Sequence, residues 1–280
     1  MIEDSQNLDE VVVIGYGTQR KGDVTSSVAS VKSENFVKGA VKDVGQLIQG
    51  KVAGLAITNP SGDPTGNTQI RLRGTSTIGG ANTAPLILID GIPGDFNTVA
   101  PEDVESIDVL KDGSAAAIYG TRGTNGVILI TTKQARGSEI LRVDYSGYIS
   151  TSHISKKHDM LNASEFAQLY PDYDQGYDTD WVDEITRTPV SHVHNLSLSG
   201  GTSRANYIAN VNYASRQGIM KRSNFENFRA RIEVTQRLFD DKVRLRFGLL
   251  GRSDWRESTV SGGSFRGVAY SQATRRNPTQ

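Results

Sequence analysis

From Leu141 to Leu249 the residues repeatedly alternate between apolar and polar. Leu141, Val143, Tyr145, Gly147 and Ile149 interleave with Arg142, Asp144, Ser146 and Tyr148. Tyr207, Ala209, Val211 and Tyr213 interleave with Asn206, Asn210 and Asn212, and Ile208 alone breaks the polarity. Phe228, Ala230, Ile232 and Val234 oppose Arg229, Arg231, Glu233 and Thr235, and Val243, Leu245, Phe247 and Leu249 oppose Arg244, Arg246 and Gly248. A period of two is the signature of amphipathic β-strands. The spacing between the runs is equally informative. The stretch 196–204 and Phe239-Asp240-Asp241-Lys242 read as short hairpin turns, whereas 150–192 and 251–277 are long, polar and rich in Gly, Asp and Ser. Short turns at one end and long excursions at the other suit a membrane β-barrel, although a soluble β-sandwich also satisfies the alternation alone.

A different pattern precedes these strands. Residues 24–133 predict a small α/β unit of mixed connections. Ala40–Gln49 carries Val41, Val44, Leu47 and Ile48 at helical spacing, and Pro101-Glu102-Asp103 and Ser114–Tyr119 read as further short helices, with Gly120 as a stop. Strands are expected near Val24–Val31, at Leu55-Ala56-Ile57, at Ile70–Gly74, at Ile107–Leu110 and at Val127–Thr132. Leu86-Ile87-Leu88-Ile89 has no alternation, so a central strand covered on both faces is expected there. Asn162–Tyr170 predicts a short helix inside the first long excursion.

Composition removes several classes of function. The 31 basic and 31 acidic side chains balance, which gives no electrostatic case for nucleic acid. With no cysteine among 280 residues, disulfides, thiolate zinc sites and thiol nucleophiles are excluded. Apolar runs of four to six residues are too short for a membrane helix, a limit that does not touch barrel strands. No basic leader with an apolar segment opens the sequence, so a mature or partial product is expected.

Catalytic and ligand-binding patterns are sparse. Gly120-Thr121-Arg122-Gly123-Thr124-Asn125-Gly126 resembles a phosphate cradle, but it follows a predicted helix and precedes a strand, the reverse of a dinucleotide site. His192 and His194 share a strand face without an evident third ligand, and no metal site is expected there. Asp172, Asp174, Asp178, Asp180 and Asp183 lie among Tyr170, Tyr173, Tyr177 and Trp181. Their spacing partly matches an oxygen-rich calcium loop without closing one; a wet aromatic loop facing a ligand or a lid protein is the other reading. Arg71, Arg73 and Arg122 are either solvated or, if buried, in need of carboxylate partners. No acid–base or nucleophilic group is visible, so neither an enzyme nor a cofactor is expected.

The stretches Leu8–Gln19, Ile70-Arg71-Leu72-Arg73-Gly74, Pro85–Gly91, Ile118–Ile128 and His194–Gly201 together resemble the TonB-dependent outer-membrane transporters of the glycan- and peptide-importing class of Bacteroidetes, the SusC/RagA-like group. The resemblance implies an α+β plug of small mixed sheets and short helices, followed by antiparallel amphipathic strands of an incomplete transmembrane β-barrel in the outer membrane. It divides the chain into an extension at 1–20, a plug at 21–134 and barrel strands with long loops at 135–280.

The resemblance also implies roles. Asp9, Glu10, Val11, Val12, Val13 and Ile14 correspond to the Ton box, which adds as a strand to a TonB-type energy-coupling protein. Arg73 and Arg122 stand where plug arginines meet barrel acids. Tyr173, Tyr177 and Trp181 lie on an outer loop facing a SusD-like surface lipoprotein or an oligosaccharide or peptide ligand, with outer-membrane lipid around the full-length parent. Transporters of this kind have 22 strands, whereas the residues after Lys133 supply about six. A fragment unable to transport alone, or one piece of a split transporter, is therefore expected. A signalling receptor of the same fold and a soluble β-rich binding or structural protein are the alternatives.

Overall fold

The computed structural model describes residues 11–14, 17–20, 28–58, 63–66, 68–72, 84–111, 119–135, 141–258 and 268–280. The chain separates into two compact units. The first comprises Met1–Thr58 and Thr68–Ala135, and the second comprises Asn59–Asn67 and Arg136–Gln280.

The first unit opens with a two-stranded antiparallel ribbon, β1 (Val11–Ile14) on β2 (Gly17–Arg20). A second ribbon joins β4 (Leu55–Thr58) to β5 (Gln69–Leu72). The main sheet contains β3 (Val28–Lys32), β6 (Leu86–Ile89), β7 (Ile92–Pro93), β8 (Val104–Leu110) and β9 (Val127–Thr132), in the order β3-β8-β9-β6-β7. Only β6 and β9 run parallel, so the sheet is mixed.

Leu86–Ile89 is covered on both faces, as its unbroken apolar run predicts. Ile87 and Ile89 join the larger core with Ile107, Val109, Ile128 and Ile130, while Leu86 and Leu88 join Leu110, Val127 and Leu129 on the other face. This β6 is an interior strand, paired with β9 on one side and β7 on the other. The middle strand is β9, and only the two-residue β7 lies outside β6. Asp90 and Gly91, with φ of 48° and 86°, form the tight left-handed turn between β6 and β7.

Helical content is also smaller than the spacing suggests. The expected helix at Ala40–Gln49 is a 3-10 helix at Val44–Ile48. Asp43 caps it by accepting from the Gln46 amide at 3.3 Å, so the helical geometry starts after Asp43, not at Ala40. Pro101–Asp103 is a single 3-10 turn. The expected helix at Ser114–Tyr119 lies almost wholly outside the described residues.

The second unit is an antiparallel meander of β10 (Arg142–Thr151), β11 (Val190–Gly201), β12 (Ala205–Gln217), β13 (Asn224–Leu238) and β14 (Val243–Glu257). There are thus five described strands where length suggested about six. Turns 202–204 and 239–242 close one end, while 152–189 leaves from the other. The second long excursion begins later than expected, because β14 continues to Glu257.

Across the three inner strands, β11 to β13, burial is inverted relative to a water-soluble protein, while the edge strands β10 and β14 are largely exposed on both faces. On the polar face Asn210, Asn212, Asn227, Arg229, Arg231 and Glu233 are all buried. On the apolar face Tyr145, Ile149, Ile232, Phe247 and Leu249 are more than half exposed. A soluble sandwich would bury the second set and hydrate the first.

Candidate functional site

The buried polar face is built from cross-strand rungs. Asn195, Asn212 and Arg229 are direct neighbours on β11, β12 and β13. The Asn212 amide donates to Asn195 Oδ1 at 3.4 Å, and Arg229 Nη1 donates to Asn212 Oδ1 at 3.3 Å. Four positions further along β13, Glu233 accepts from Arg231 Nη2 at 2.7 Å and lies 3.6 Å from Arg246 Nε of β14. Residues at i and i+2 share a strand face, which is why Arg229, Arg231 and Glu233 line up. Alternation identified this face, but it did not reveal that the charged row would be the buried one.

At the long-loop end the excursion 152–189 folds into a lobe. Its first helix is Ala163–Leu169, where Asn162 and Glu165 cap one another's amides. A second short helix, Trp181–Ile185, starts at Asp180, whose Oδ1 accepts from the amides of Val182 at 2.9 Å and Asp183 at 3.1 Å. Lys157 pairs with Asp180 at 3.2 Å and also bonds Asp183. The carboxyl of Asp180 is partly buried, which disfavours its charge. The Asp183 amide and the Lys157 ammonium outweigh that effect and hold its pKa below the usual carboxylate value.

The terminal segment 268–280 docks on this lobe. The amide of Tyr177 donates to Thr279 O at 3.0 Å, that of Thr179 to Pro278 O at 2.9 Å, and the Asn277 side chain to Tyr173 O at 2.8 Å. A cavity of about 420 Å³ remains between the two segments, lined by Phe166, Asp178, Trp181, Ala273 and Arg275 among others.

The described residues among those singled out from sequence lie on several different elements. Asp9 and Glu10 lie outside the described residues, and Val11, Val12, Val13 and Ile14 form β1, whose only described partner is β2. Arg73 lies outside the described residues, while Arg122 is exposed on the 3-10 turn Gly120–Gly123 and has no ion pair among the described residues. Tyr173 and Tyr177 are 68% and 67% exposed. Trp181 instead turns inward, donating its indole N–H to Asn277 O at 2.9 Å beneath the Arg276 guanidinium.

The aspartates of the lobe serve its own turns, caps and the Lys157 bridge. Asp174 accepts from the Gly176 amide at 2.9 Å and Asp180 caps a helix, so their carboxylates brace the loop. Among the described residues no three His, Asp or Glu side chains are placed to hold a cation. His194 Nδ1 instead meets the Tyr145 hydroxyl at 2.7 Å on the apolar side of the sheet.

Comparisons with known proteins agree with this architecture. Residues 20–127 match the TonB-dependent Receptor Plug Domain. The TonB-dependent receptor SusC of Bacteroides thetaiotaomicron is 39% identical over 260 residues, covering 86% of this chain and 26% of that protein. TonB-dependent receptor P3 of Formosa agariphila is 39% identical over 231 residues, covering 80% of this chain and 23% of that protein. The structure of the RagAB peptide importer in its open-open state superposes with a TM-score of 0.79 at 28% identity, covering 91% of this chain and 34% of that one. The chain spans about a quarter of the length of these curated relatives. A plug sequence followed by a sheet with its polar face buried, together with these matches, places the chain in the TonB-dependent receptor family, in its SusC/RagA-like branch.

Proposed function

We propose that this chain is the gate and the first part of the wall of an outer-membrane transporter that imports a glycan or a peptide, driven by a TonB-type coupling protein. The observation that carries the reading is the inverted sheet. Lipid solvates Ile232, Phe247 and Leu249 where water would not, and a closed barrel encloses the row Arg229, Arg231 and Glu233. The ten steps from Ala205 to Ser215 span about 34 Å along β12, which at a tilt of about 40° is about 26 Å, matching an apolar band about 25 Å tall.

Residues 1–20 act as the coupling extension, 21–134 as the plug and 135–280 as strands and outer loops. Asp9–Ile14 carries the Ton box, and β1 offers an edge suited to strand addition. Arg73 and Arg122 tie plug to barrel through acidic partners. The exposed Tyr173 and Tyr177 face a SusD-like lipoprotein or the nutrient itself, while Trp181 shapes the loop that presents them. Nothing in this scheme makes or breaks a covalent bond in the nutrient. The name of the RagAB peptide importer supports a peptide as cargo, and that of the TonB-dependent receptor SusC supports the TonB coupling.

The test is uptake by the full-length parent reconstituted with its coupling protein. Deleting Asp9–Ile14 abolishes energised uptake and leaves nutrient binding intact; unchanged uptake rejects the Ton-box role.

A further inference from the structure

The loop between β4 and β5 does not belong to the unit that its flanking strands build. Thr58 and Thr68 fall in the first unit, whereas Asn59–Asn67 falls with the meander. At its base, Thr68 Oγ1 bonds the buried Asp43 carboxylate, within the first unit. Pro64, ten residues or fewer from either strand, is buried at the far end of β12 beside Gly218.

Both halves of that contact are pre-shaped. Asp63 Oδ1 accepts from the Thr65 amide and from Thr65 Oγ1, each at 2.8 Å, and the Gly66 amide donates to Asp63 O at 3.1 Å. The turn therefore holds its own conformation, and the proline ring adds a fixed φ, so little entropy is lost on seating. Opposite it, Gly218 leaves room that a side chain would fill: a Cβ there overlaps the Ser223 hydroxyl and stands 2.8 Å from Pro64 Cδ.

Arg187 stiffens the seat from the lobe side. Its Nε donates to Gly218 O at 3.1 Å and its Nη2 to Ser223 O at 3.0 Å, while its amide donates to Ile219 O at 2.8 Å.

We propose that the turn Asp63–Gly66 is a stationary anchor, a piece of the plug sequence that stays seated on the wall while the plug sheet opens. The proposal rests on the transport reading above. It gives the plug a fixed point from which to reclose.

The experiment uses the full-length parent with any native cysteines replaced, carrying Pro64→Cys and Ser223→Cys, and a short bis-methanethiosulfonate linker. Linking is expected to proceed at rates within about twofold in energised and de-energised cells, and the linked protein keeps energised uptake. A tenfold slowing of linking on energisation, or loss of uptake that reduction restores, overturns the anchor. In the unsubstituted protein, hydrogen exchange at the Thr65 and Gly66 amides gives a second readout: protection persists during transport if the turn stays seated, and its loss overturns the proposal. Absence of energised uptake by the unsubstituted parent counts against the transport reading instead, and the linking rates still score the seat.

Discussion

Arg231 and Glu233 form a 2.7 Å ion pair with both side chains less than a tenth exposed, two residues apart on one strand of a sheet whose opposite face is apolar. The pair is buried on the side that a soluble β-protein would hydrate. Glu233 also approaches Arg246 of the next strand, so one carboxylate answers two guanidinium groups and locks β13 to β14.

Removing one member of this cluster is expected to cost more than removing both. Arg231→Ala or Glu233→Ala leaves a buried charge short of a partner, at about 3–5 kcal/mol, while Arg231→Met with Glu233→Met recovers most of that loss. The measurement is the urea midpoint of the full-length protein in detergent, followed by its heat-modifiable gel shift. Equal losses for the single and double variants would show that the pair is not the unit of stability.

The outward face makes an independent prediction. Ile232 is 51% exposed near the middle of the apolar band, with Leu249 directly across on β14. Ile232→Arg is expected to destabilise folding into vesicles by about 2–4 kcal/mol, whereas Gln236→Arg near the band's edge costs about 1 kcal/mol or less. A soluble sheet would tolerate arginine at an exposed position with little change, so neutrality of Ile232→Arg would remove the membrane assignment.

How far the sequence revealed these features depends on whether they are local. The strands β12 and β13 and both short turns were legible because period two and the stretch 239–242 are written in adjacent residues. The helix at Ala163–Leu169 was legible for the same reason, with Asn162 and Glu165 three apart. The order β3-β8-β9-β6-β7 was not, because β6, β8 and β9 are all apolar enough to be central. Nor was the docking of Asn277 on Tyr173, which joins a side-chain amide to a backbone carbonyl 104 positions away, a separation that no local spacing marks. Arg187 escaped notice because an isolated arginine in a polar loop has no spacing to mark it. The inward turn of Trp181 depends on where residues 276 and 277 return.

Within the plug, Asp90 ties the hairpin to the central strand. Its carboxylate accepts from the Thr132 amide at 3.0 Å and from Thr132 Oγ1 at 2.6 Å, while its own backbone is left-handed at φ 48°. Asp90→Ala removes both bonds and the residue type that tolerates that conformation, for an expected loss of about 2 kcal/mol. Asp90→Asn keeps an acceptor and the backbone preference, and should recover at least half. Hydrogen exchange at the Thr132 amide, read in both variants, checks the order.

The lobe should respond to acid. Asp180 titrates below the usual carboxylate range because the Asp183 amide and the Lys157 ammonium outweigh its burial. A carboxylate depressed on folding stabilises the lobe above its unfolded pKa of about 4, and that contribution fades as pH falls through the lower folded value. Lys157 moves the other way: hydrogen bonding, chiefly to Asp183, raises its pKa. Its contribution is complete below the unfolded lysine value of about 10.4 and is lost only above it. The lobe should therefore hold from neutral pH down to about 4 and loosen below that. Trp181 reports the change, since its indole is bonded to Asn277 O and covered by Arg276. In a Trp255→Phe background its emission should shift to the red as pH drops below about 4. Asp180→Asn, which keeps a capping oxygen but loses the charge, should flatten that transition. A shift of the same size in Asp180→Asn would assign the acid response to another carboxylate.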